Sequence, residues 1–188
     1  GVLGPGGRGT VAAEGLSGEV DVVMGTMGKA LGAYGAYVCA SAETVDYLVN
    51  RARSFVFSTA PPPPVVGAAR AALGVLEAEP ERVDRLLSNA RALREGLAAA
   101  GLAAGASTTQ IVPIEVGEAG PTMELCERAL EHGVFAQGIR PPTVPEGSSR
   151  LRFTVMATHE PEELRQAAHQ VGEAAREIGL LKSATIAA

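Results

Sequence analysis

The sequence predicts an α/β fold, in which β-strands alternate with α-helices along the chain. Short apolar runs that resemble buried strands alternate with segments whose apolar residues recur at helical spacing, through most of the 188 residues. Residues 1–78 are expected to form the end of a large domain with a parallel sheet, and residues 79–188 a small C-terminal α/β domain. The first part holds too few strands to make a covered sheet alone, so partner strands are expected from elsewhere.

Local patterns predict the elements of the first part. Ser41 is expected to cap the first of two helices. The four prolines at 61–64 cannot continue a strand or lie inside a helix, so they are expected to lead into the second helix. The predicted strands are 20–24, 36–40 and 54–57, and the predicted helices are 42–52 and 65–78.

The second part begins near Pro80. Its predicted elements are a helix over 83–97, a strand over 111–116, a helix that Thr122 opens and Gly133 closes, strands over 134–136 and 151–155, and an amphipathic helix over about 161–178. His159 is expected to cap that last helix, and the tail after Gly179 is expected to be frayed.

Composition excludes several classes of function. The net charge of −5 argues against nucleic acid as the main partner, because nucleic-acid binding usually needs a basic face. No stretch reaches the roughly 18 uncharged apolar residues of a membrane span, so no membrane partner is expected. Cys39 and Cys126 lack metal-ligand spacing, which argues against a metal site or a disulfide framework and favours a reducing cytoplasm.

The chain opens inside a glycine-rich segment, residues 1–9. Domains rarely begin within such a segment, and no signal-peptide pattern follows, so the true N-terminus is expected to be missing. Residues 4–9 match GxGxxG literally. No apolar strand precedes that match and no clear helix follows it, so a dinucleotide site is not expected.

Lys29 is the main candidate for chemistry. It lies between a predicted buried strand and a turn, and the glycines at 25, 28 and 32 would let a bulky group approach the backbone. A desolvated lysine has a lowered pKa and can form an imine with an aldehyde, while Thr26 offers a hydroxyl to an anion. On local sequence alone, a purely structural glycine-lysine turn is an equally good interpretation.

A phosphate-binding Walker A loop is a weaker interpretation of the same segment. That loop needs GxxxxGK followed by Ser or Thr. Val23 stands at the position of its first glycine, and Ala30 follows the lysine. The segment therefore fails the pattern at both ends.

Residues 25–32, Gly-Thr-Met-Gly-Lys-Ala-Leu-Gly, resemble the lysine segment of the α-oxoamine synthases. Those enzymes use pyridoxal 5'-phosphate (PLP) to condense an amino acid with an acyl thioester, with loss of CO2. Residues 57–62, 139–145 and 151–154 match further family segments in order and spacing. The resemblance covers nearly the whole chain and implies the C-terminal half of a fold-type I PLP-dependent transferase, with an aspartate aminotransferase-like fold.

The resemblance also implies how the cofactor is held. Lys29 would carry PLP and then act as the base that removes the α-proton, and Thr26 would bind the phosphate. Ser58 and Thr59 would reach across a homodimer interface to the partner subunit's phosphate; without the resemblance they would be a strand end. The acid that pairs with the pyridine nitrogen and the histidine that stacks on the ring would belong to the missing N-terminal half. The chain alone is therefore expected to be a poor enzyme.

On the substrate side, the resemblance implies that Arg152 pairs with the amino-acid carboxylate, which suits the guanidinium fork. Arg140, on a proline-rich loop, would meet the same carboxylate or the end of the acyl chain, and Thr143 would line the acyl-thioester entrance. Arg150 alternates with Arg152 and is taken as the surface member of the pair. Without the resemblance, surface salt bridges would be the expected role of all three arginines.

The Arg-Pro-Pro-Thr-Val-Pro form of residues 140–145 resembles the biotin-pathway branch of the family. That branch joins L-alanine to a pimeloyl thioester carried by coenzyme A or acyl-carrier protein. One departure is Tyr34, where a smaller residue is expected and which would either narrow the site or pack against the sheet. Two alternatives stay open: a sibling enzyme that uses glycine or serine, such as a glycine C-acetyltransferase or an aminolevulinate synthase, and a non-catalytic piece that serves only in dimerisation.

Overall fold

A computed structural model describes residues 1–181, and it confirms the α/β class. The rest of the tail predicted to be frayed lies outside the described residues. The chain forms two compact units, Gly1–Val83 and a second from Asp84 onward. The predicted domain boundary between residues 78 and 79 lies shortly before this division and stays a prediction for the whole protein.

The first unit contains a strand pair followed by helices. Ser41 caps the helix Ala42–Arg51 as predicted, because its Oγ accepts a hydrogen bond from the Thr44 backbone N–H at 3.2 Å. Pro63 and Pro64 occupy a helical first turn, where no intrahelical N–H is needed. The elements are α1 (Thr10–Ala13), β1 (Val22–Thr26), β2 (Ala36–Ala40), α2 (Ala42–Arg51), α3 (Arg53–Val56) and α4 (Pro63–Ala78), and α5 (Glu81–Ala99) runs across the division.

The strands of the first unit pair antiparallel, whereas a parallel sheet was expected. Val22 lies opposite Ala40 and Thr26 opposite Ala36. Only nine residues, 27–35, connect the two strands, and they include no helix. A parallel pair needs a crossover of a dozen or more residues, so this short connection permits only a hairpin.

The predicted strand over 54–57 is wrong, because these residues belong to α3 and the turn that follows it. The backbone N–H groups of Phe55 and Val56 both donate to the Ala52 carbonyl at 2.9 Å. The Arg53 guanidinium lies 5.4 Å from the centre of the Phe57 ring, a contact that one helical turn allows. β-branched and aromatic residues favour strands only where their side chains pack against neighbouring strands of a sheet.

The first unit has almost no hydrophobic core of its own. Among the described residues, its buried hydrophobic side chains are Ala69 and Val83. Five of its largest apolar side chains, Met24, Tyr34, Tyr47, Phe55 and Phe57, are between 63 and 77 % exposed. Apolar surface of this extent is the usual mark of a contact surface.

The second unit is a three-stranded antiparallel sheet packed against helices on one face. The strand order is β3-β5-β4, so the last strand in sequence is central. Helices α5, α6 and α7 contribute to the core that covers the inner face, together with Val112, Leu151 and Phe153 from the strands. The elements beyond α5 are β3 (Ile111–Gly117), α6 (Ala119–Glu131), β4 (Gln137–Ile139), β5 (Ser149–Thr154) and α7 (Pro161–Glu177). Within residues 1–181, no helix is both long and apolar enough to cross a membrane.

Two local predictions in the second unit are wrong. Residues 134–136 are not a strand, because the Val134 backbone N–H donates to the Ala129 carbonyl at the end of α6, at 2.8 Å. That N–H is therefore not available to a sheet, and pairing begins only at Gln137. His159 does not cap α7. Glu160 is the N-cap, and it forms a reciprocal capping box with Glu163.

Candidate functional site

Lys29 lies in the loop of the β1-β2 hairpin. The loop is closed by two hydrogen bonds of Met27, whose N–H donates to Gly35 and whose carbonyl accepts from Ala33, both at 2.9 Å. Inside it, the Gly32 N–H donates to the Lys29 carbonyl at 3.0 Å and forms a tight turn. Gly32 has a φ of +57°, a value that favours glycine. The loop thus presents Lys29 at the tip of the hairpin.

Lys29 and Thr26, which the sequence assigned to the same site, are in direct contact. The Lys29 Nζ donates a hydrogen bond to the Thr26 Oγ1 at 2.9 Å. Both side chains are exposed, so the desolvation expected for Lys29 is not present in this chain. The reason is that the hairpin tip is not covered by other residues of the first unit. The contact joins an amine, which can attack an aldehyde, to a hydroxyl, which can bind an anion.

Gly25 has a steric reason to be glycine. It pairs across the strands with Tyr37, and a Cβ at Gly25 would lie 2.4 Å from the Cζ and Oη of that ring. The ring therefore covers the β1 backbone one residue before Thr26. Tyr34, the residue that departs from the family pattern, is 74 % exposed and does not pack against the sheet.

Ser58 and Thr59 lie in the irregular segment between α3 and α4. Both residues are exposed, and neither hydroxyl forms a hydrogen bond to another group within residues 1–181. This placement leaves their oxygen atoms available to a group outside the described chain. Their predicted role at a partner subunit's phosphate stays a prediction.

A cavity of about 580 Å³ adjoins the hairpin, and Thr26 is one of its lining residues. Arg8 of the glycine-rich segment lines the same cavity, although the sequence analysis gave this residue no role. A cation beside a hydroxyl suits an anion. The signal available in the sequence was the single arginine within the glycine-rich segment 1–9.

In the second unit, the two sides of β5 differ sharply. Ser149, Leu151 and Phe153 are buried on the inner side, whereas Arg152 and Thr154 are exposed on the outer side. We call this outer side of the β3-β5-β4 sheet the outer face. It presents polar side chains to solvent from the central strand of the sheet.

The two arginines of the outer face differ in whether they form an ion pair. Arg150 pairs with Glu115, which lies opposite it on β3, with 3.2 Å between guanidinium nitrogen and carboxylate oxygen. Arg152 lies opposite Pro113 and Gln137 and forms no ion pair within residues 1–181. Arg150 is therefore neutralised, and Arg152 is the arginine able to accept an external carboxylate. The role of Arg152 at the substrate carboxylate stays a prediction, whereas the choice of Arg150 as the surface member of the pair is wrong, because Arg150 is the less exposed of the two.

Arg140 and Thr143 share one turn at the end of β4. The Thr143 N–H donates to the Arg140 carbonyl at 3.0 Å, and the Arg140 guanidinium donates to the carbonyl of the next residue at 3.3 Å. Both side chains are exposed. The predicted residues thus divide between the two units: Lys29, Thr26, Ser58 and Thr59 lie in the first, and Arg140, Thr143 and Arg152 lie in the second. Direct contacts join Lys29 to Thr26 and Arg140 to Thr143.

The second unit also has a cavity of about 560 Å³, between the end of β5 and α7. Its lining includes His132 and His159 but none of the residues predicted to bind substrate. Within the described part of the chain, no group of three or more His, Cys, Asp or Glu side chains is arranged to hold a metal ion.

Comparison with known proteins identifies relatives over nearly the whole chain. The family model for aminotransferase class I and II matches residues 2–171. A protein named 8-amino-7-oxononanoate synthase from Citrifermentans bemidjiense is 50% identical over 183 residues, which are 96% of this chain and 47% of that protein. The chain therefore spans about half the length of the curated relatives it matches. The resemblance to the α-oxoamine synthases is confirmed by these matches.

Solved structures agree with the sequence relatives. A structure described as SPT with PLP internal aldimine superimposes with a TM-score of 0.90 at 31% identity, over 96% of this chain and 46% of that one. The 8-amino-7-oxononanoate synthase of Francisella tularensis superimposes with a TM-score of 0.77 at 25% identity, over 94% of this chain and 52% of that one. The fold predicted from the sequence, that of a fold-type I PLP enzyme, is confirmed.

Proposed function

This chain belongs to the aminotransferase class I and II family, and we propose that the whole protein joins L-alanine to a pimeloyl thioester to give 8-amino-7-oxononanoate, with release of CO2 and the acyl carrier. The observation that carries the proposal is the contact between Lys29 and Thr26 at the tip of a glycine-containing hairpin. The relatives named for this reaction, about 50% identical over nearly the whole chain, supply the substrate class. The proposed location is the cytoplasm.

The residues of the first unit fit PLP chemically. The cofactor brings an aldehyde, for which the Lys29 amine is the matching nucleophile, and a phosphate, for which the Thr26 hydroxyl is a donor. The exposed hydroxyls of Ser58 and Thr59 suit the phosphate of a partner subunit in a homodimer. When bound, PLP supplies the electron sink for a carbanion at the amino-acid α-carbon.

In this proposal, Lys29 also acts as the base at the α-carbon. The Lys29 amine would accept the proton from that carbon, and its hydrogen bond to Thr26 gives the amine a defined position. Lys29 is exposed in this chain. The remaining walls of the site are therefore proposed to come from the half of the relatives' length that this chain does not span.

Arg152 is proposed to hold the amino-acid carboxylate. The central strand β5 fixes its backbone, and no carboxylate within residues 1–181 competes for its guanidinium. Arg140 and Thr143 lie in a turn that follows β4 directly, and they are proposed to meet the acyl thioester. A carboxylate-binding arginine accepts glycine, alanine and serine equally, so the choice among these amino acids is left to other contacts.

A sibling reaction with serine is the second candidate. The structure described as SPT superimposes with a TM-score of 0.90, compared with 0.77 for the Francisella tularensis 8-amino-7-oxononanoate synthase. A third possibility, that the chain acts only in dimerisation, agrees with the exposed apolar side chains of the first unit.

The test is a substrate panel with the whole protein loaded with PLP. L-alanine, glycine and L-serine are each paired with pimeloyl, acetyl, succinyl and palmitoyl thioesters, and CO2 release and the ketone product are measured. The proposal predicts turnover with L-alanine and the pimeloyl thioester. Preferred use of serine with the palmitoyl thioester would support the second candidate instead, and no turnover with any pair would favour the dimerisation role.

A matched pair of lysine variants tests the role of Lys29. The chain contains two lysines, Lys29 and Lys182. Lys29→Ala is expected to remove the visible absorbance of the covalently bound cofactor, whereas Lys182→Ala is expected to retain it. Retention of the absorbance by both variants would contradict the proposal.

A further inference from the structure

Gln137 is the polar cross-strand neighbour of Arg152 on the outer face. The two residues lie directly opposite each other on β4 and β5. Residues paired in this way have their side chains on the same face, with Cβ atoms about 4.5–5.5 Å apart. Both side chains are exposed. The residue that flanks Arg152 on the other side, Pro113 of β3, has no polar side-chain atom.

The other charged groups of the outer face are already paired. Arg150 and Glu115 form an ion pair at 3.2 Å, and Arg150 also donates to the Ser148 carbonyl at 3.0 Å. Of the two residues that lie directly opposite Arg152, Pro113 on β3 and Gln137 on β4, Gln137 is the one with a polar side chain. Along β5 itself, Thr154 presents a hydroxyl on the same face.

Gln137 has hydrogen-bonding capacity to spare. Within residues 1–181, its Nε2 donates only to the carbonyl of the next residue, Gly138, at 3.2 Å, and the contact is exposed to water. Release of such a local contact costs little. A carboxylate has about four acceptor sites, and a guanidinium fork occupies two of them. The amide N–H of Gln137 can fill a third without adding a like charge beside Arg152.

We propose that Gln137 is a second binding residue for the substrate carboxylate, donating from its amide to the group that Arg152 holds. This assignment rests on the proposed function, because it concerns the same amino acid. The neighbouring strands β4 and β5 would each contribute one side chain to binding of the carboxylate. A substrate without the carboxylate gains nothing from either side chain.

The test compares L-alanine with ethylamine, which is alanine without its carboxylate. Isothermal titration calorimetry gives the dissociation constant of each ligand for the whole protein loaded with PLP, with no acyl thioester present. Gln137→Ala is expected to weaken L-alanine binding about tenfold, the scale of one hydrogen bond to a charged group, and to leave ethylamine binding unchanged. Gln137→Glu is expected to weaken L-alanine further, because the new carboxylate would pair with Arg152.

Gln166→Ala is the matched control, because Gln166 is also exposed but lies on α7, away from the strands that form the outer face. It is expected to change neither dissociation constant. L-alanine binding that is unchanged in both Gln137 variants would overturn the assignment, and so would an equal weakening of L-alanine and ethylamine. If the unmodified protein binds neither ligand, the proposed function itself fails, and the assignment fails with it.

Discussion

Asn89 is the buried polar residue that holds the turn after β5, and its replacement should destabilise the second unit. The side chain is 2% exposed. Its Nδ2 donates both hydrogens to backbone carbonyls of that turn, to Met156 at 3.1 Å and to His159 at 2.6 Å. These bonds tie α5 to the segment that follows the strand carrying Arg152.

The expected magnitude follows from those two bonds. A neutral hydrogen bond contributes about 1 kcal/mol net, and a buried carbonyl left without a donor costs about 1–3 kcal/mol. Asn89→Ala should therefore lower the free energy of unfolding by about 2–4 kcal/mol. Asn89→Asp should be more damaging at neutral pH, because a carboxylate has no proton to donate and would face two carbonyl oxygens. Acidification should reduce the difference between these variants, since a protonated Asp regains one donor.

Urea unfolding followed by circular dichroism measures the change, with Ser88→Ala as the control. Ser88 is the exposed neighbour on the same helix, and its replacement should change the free energy by less than about 0.5 kcal/mol. If Asn89→Ala is as mild as this control, the two hydrogen bonds do not hold the turn. If Asn89→Asp is as stable as Asn89 at neutral pH, the side chain does not act as a donor.

Three further changes test other parts of the structure. Leu151→Ala, at a fully buried position of β5, should cost about 2–5 kcal/mol in urea unfolding, and a loss below 1 kcal/mol would contradict the assigned core. Gly25→Ala would place its Cβ 2.4 Å from the Tyr37 ring, so the near-ultraviolet circular dichroism of tyrosine should change, while an unchanged spectrum would show that the ring does not cover β1. Ser41→Ala removes the cap of α2 and should increase amide hydrogen exchange in its first turn, corresponding to about 1 kcal/mol, whereas equal exchange would mean that the cap is not formed.

The alternation of apolar and polar residues was sufficient to predict most of the second unit. Apolar Leu151 and Phe153 alternate with polar Arg150, Arg152 and Thr154, so the inner and outer sides of β5 could be assigned without coordinates. The strand partners could not be assigned. That Glu115 faces Arg150 while Pro113 and Gln137 face Arg152 depends on register, which local sequence does not encode.

The errors have a common physical cause, which is competition for backbone hydrogen bonds. Residues 54–57 and 134–136 have strand-like composition, but the N–H groups of Phe55 and Val134 donate to carbonyls of a helical turn nearby. The Lys29 loop shows another limit. Its glycines predicted room for a bulky group beside a desolvated Lys29, but Lys29 is exposed, because its burial depends on residues that do not follow from the local sequence.

The covalent attachment of PLP to Lys29 is the claim that can be tested most directly. The whole protein is incubated with PLP, reduced with borohydride and digested, and the pyridoxyl group is located by mass spectrometry. The modification is expected on the peptide that contains Gly25–Gly32, at Lys29, and not at Lys182. A pyridoxyl group on any other residue, or on none, would contradict the proposed site.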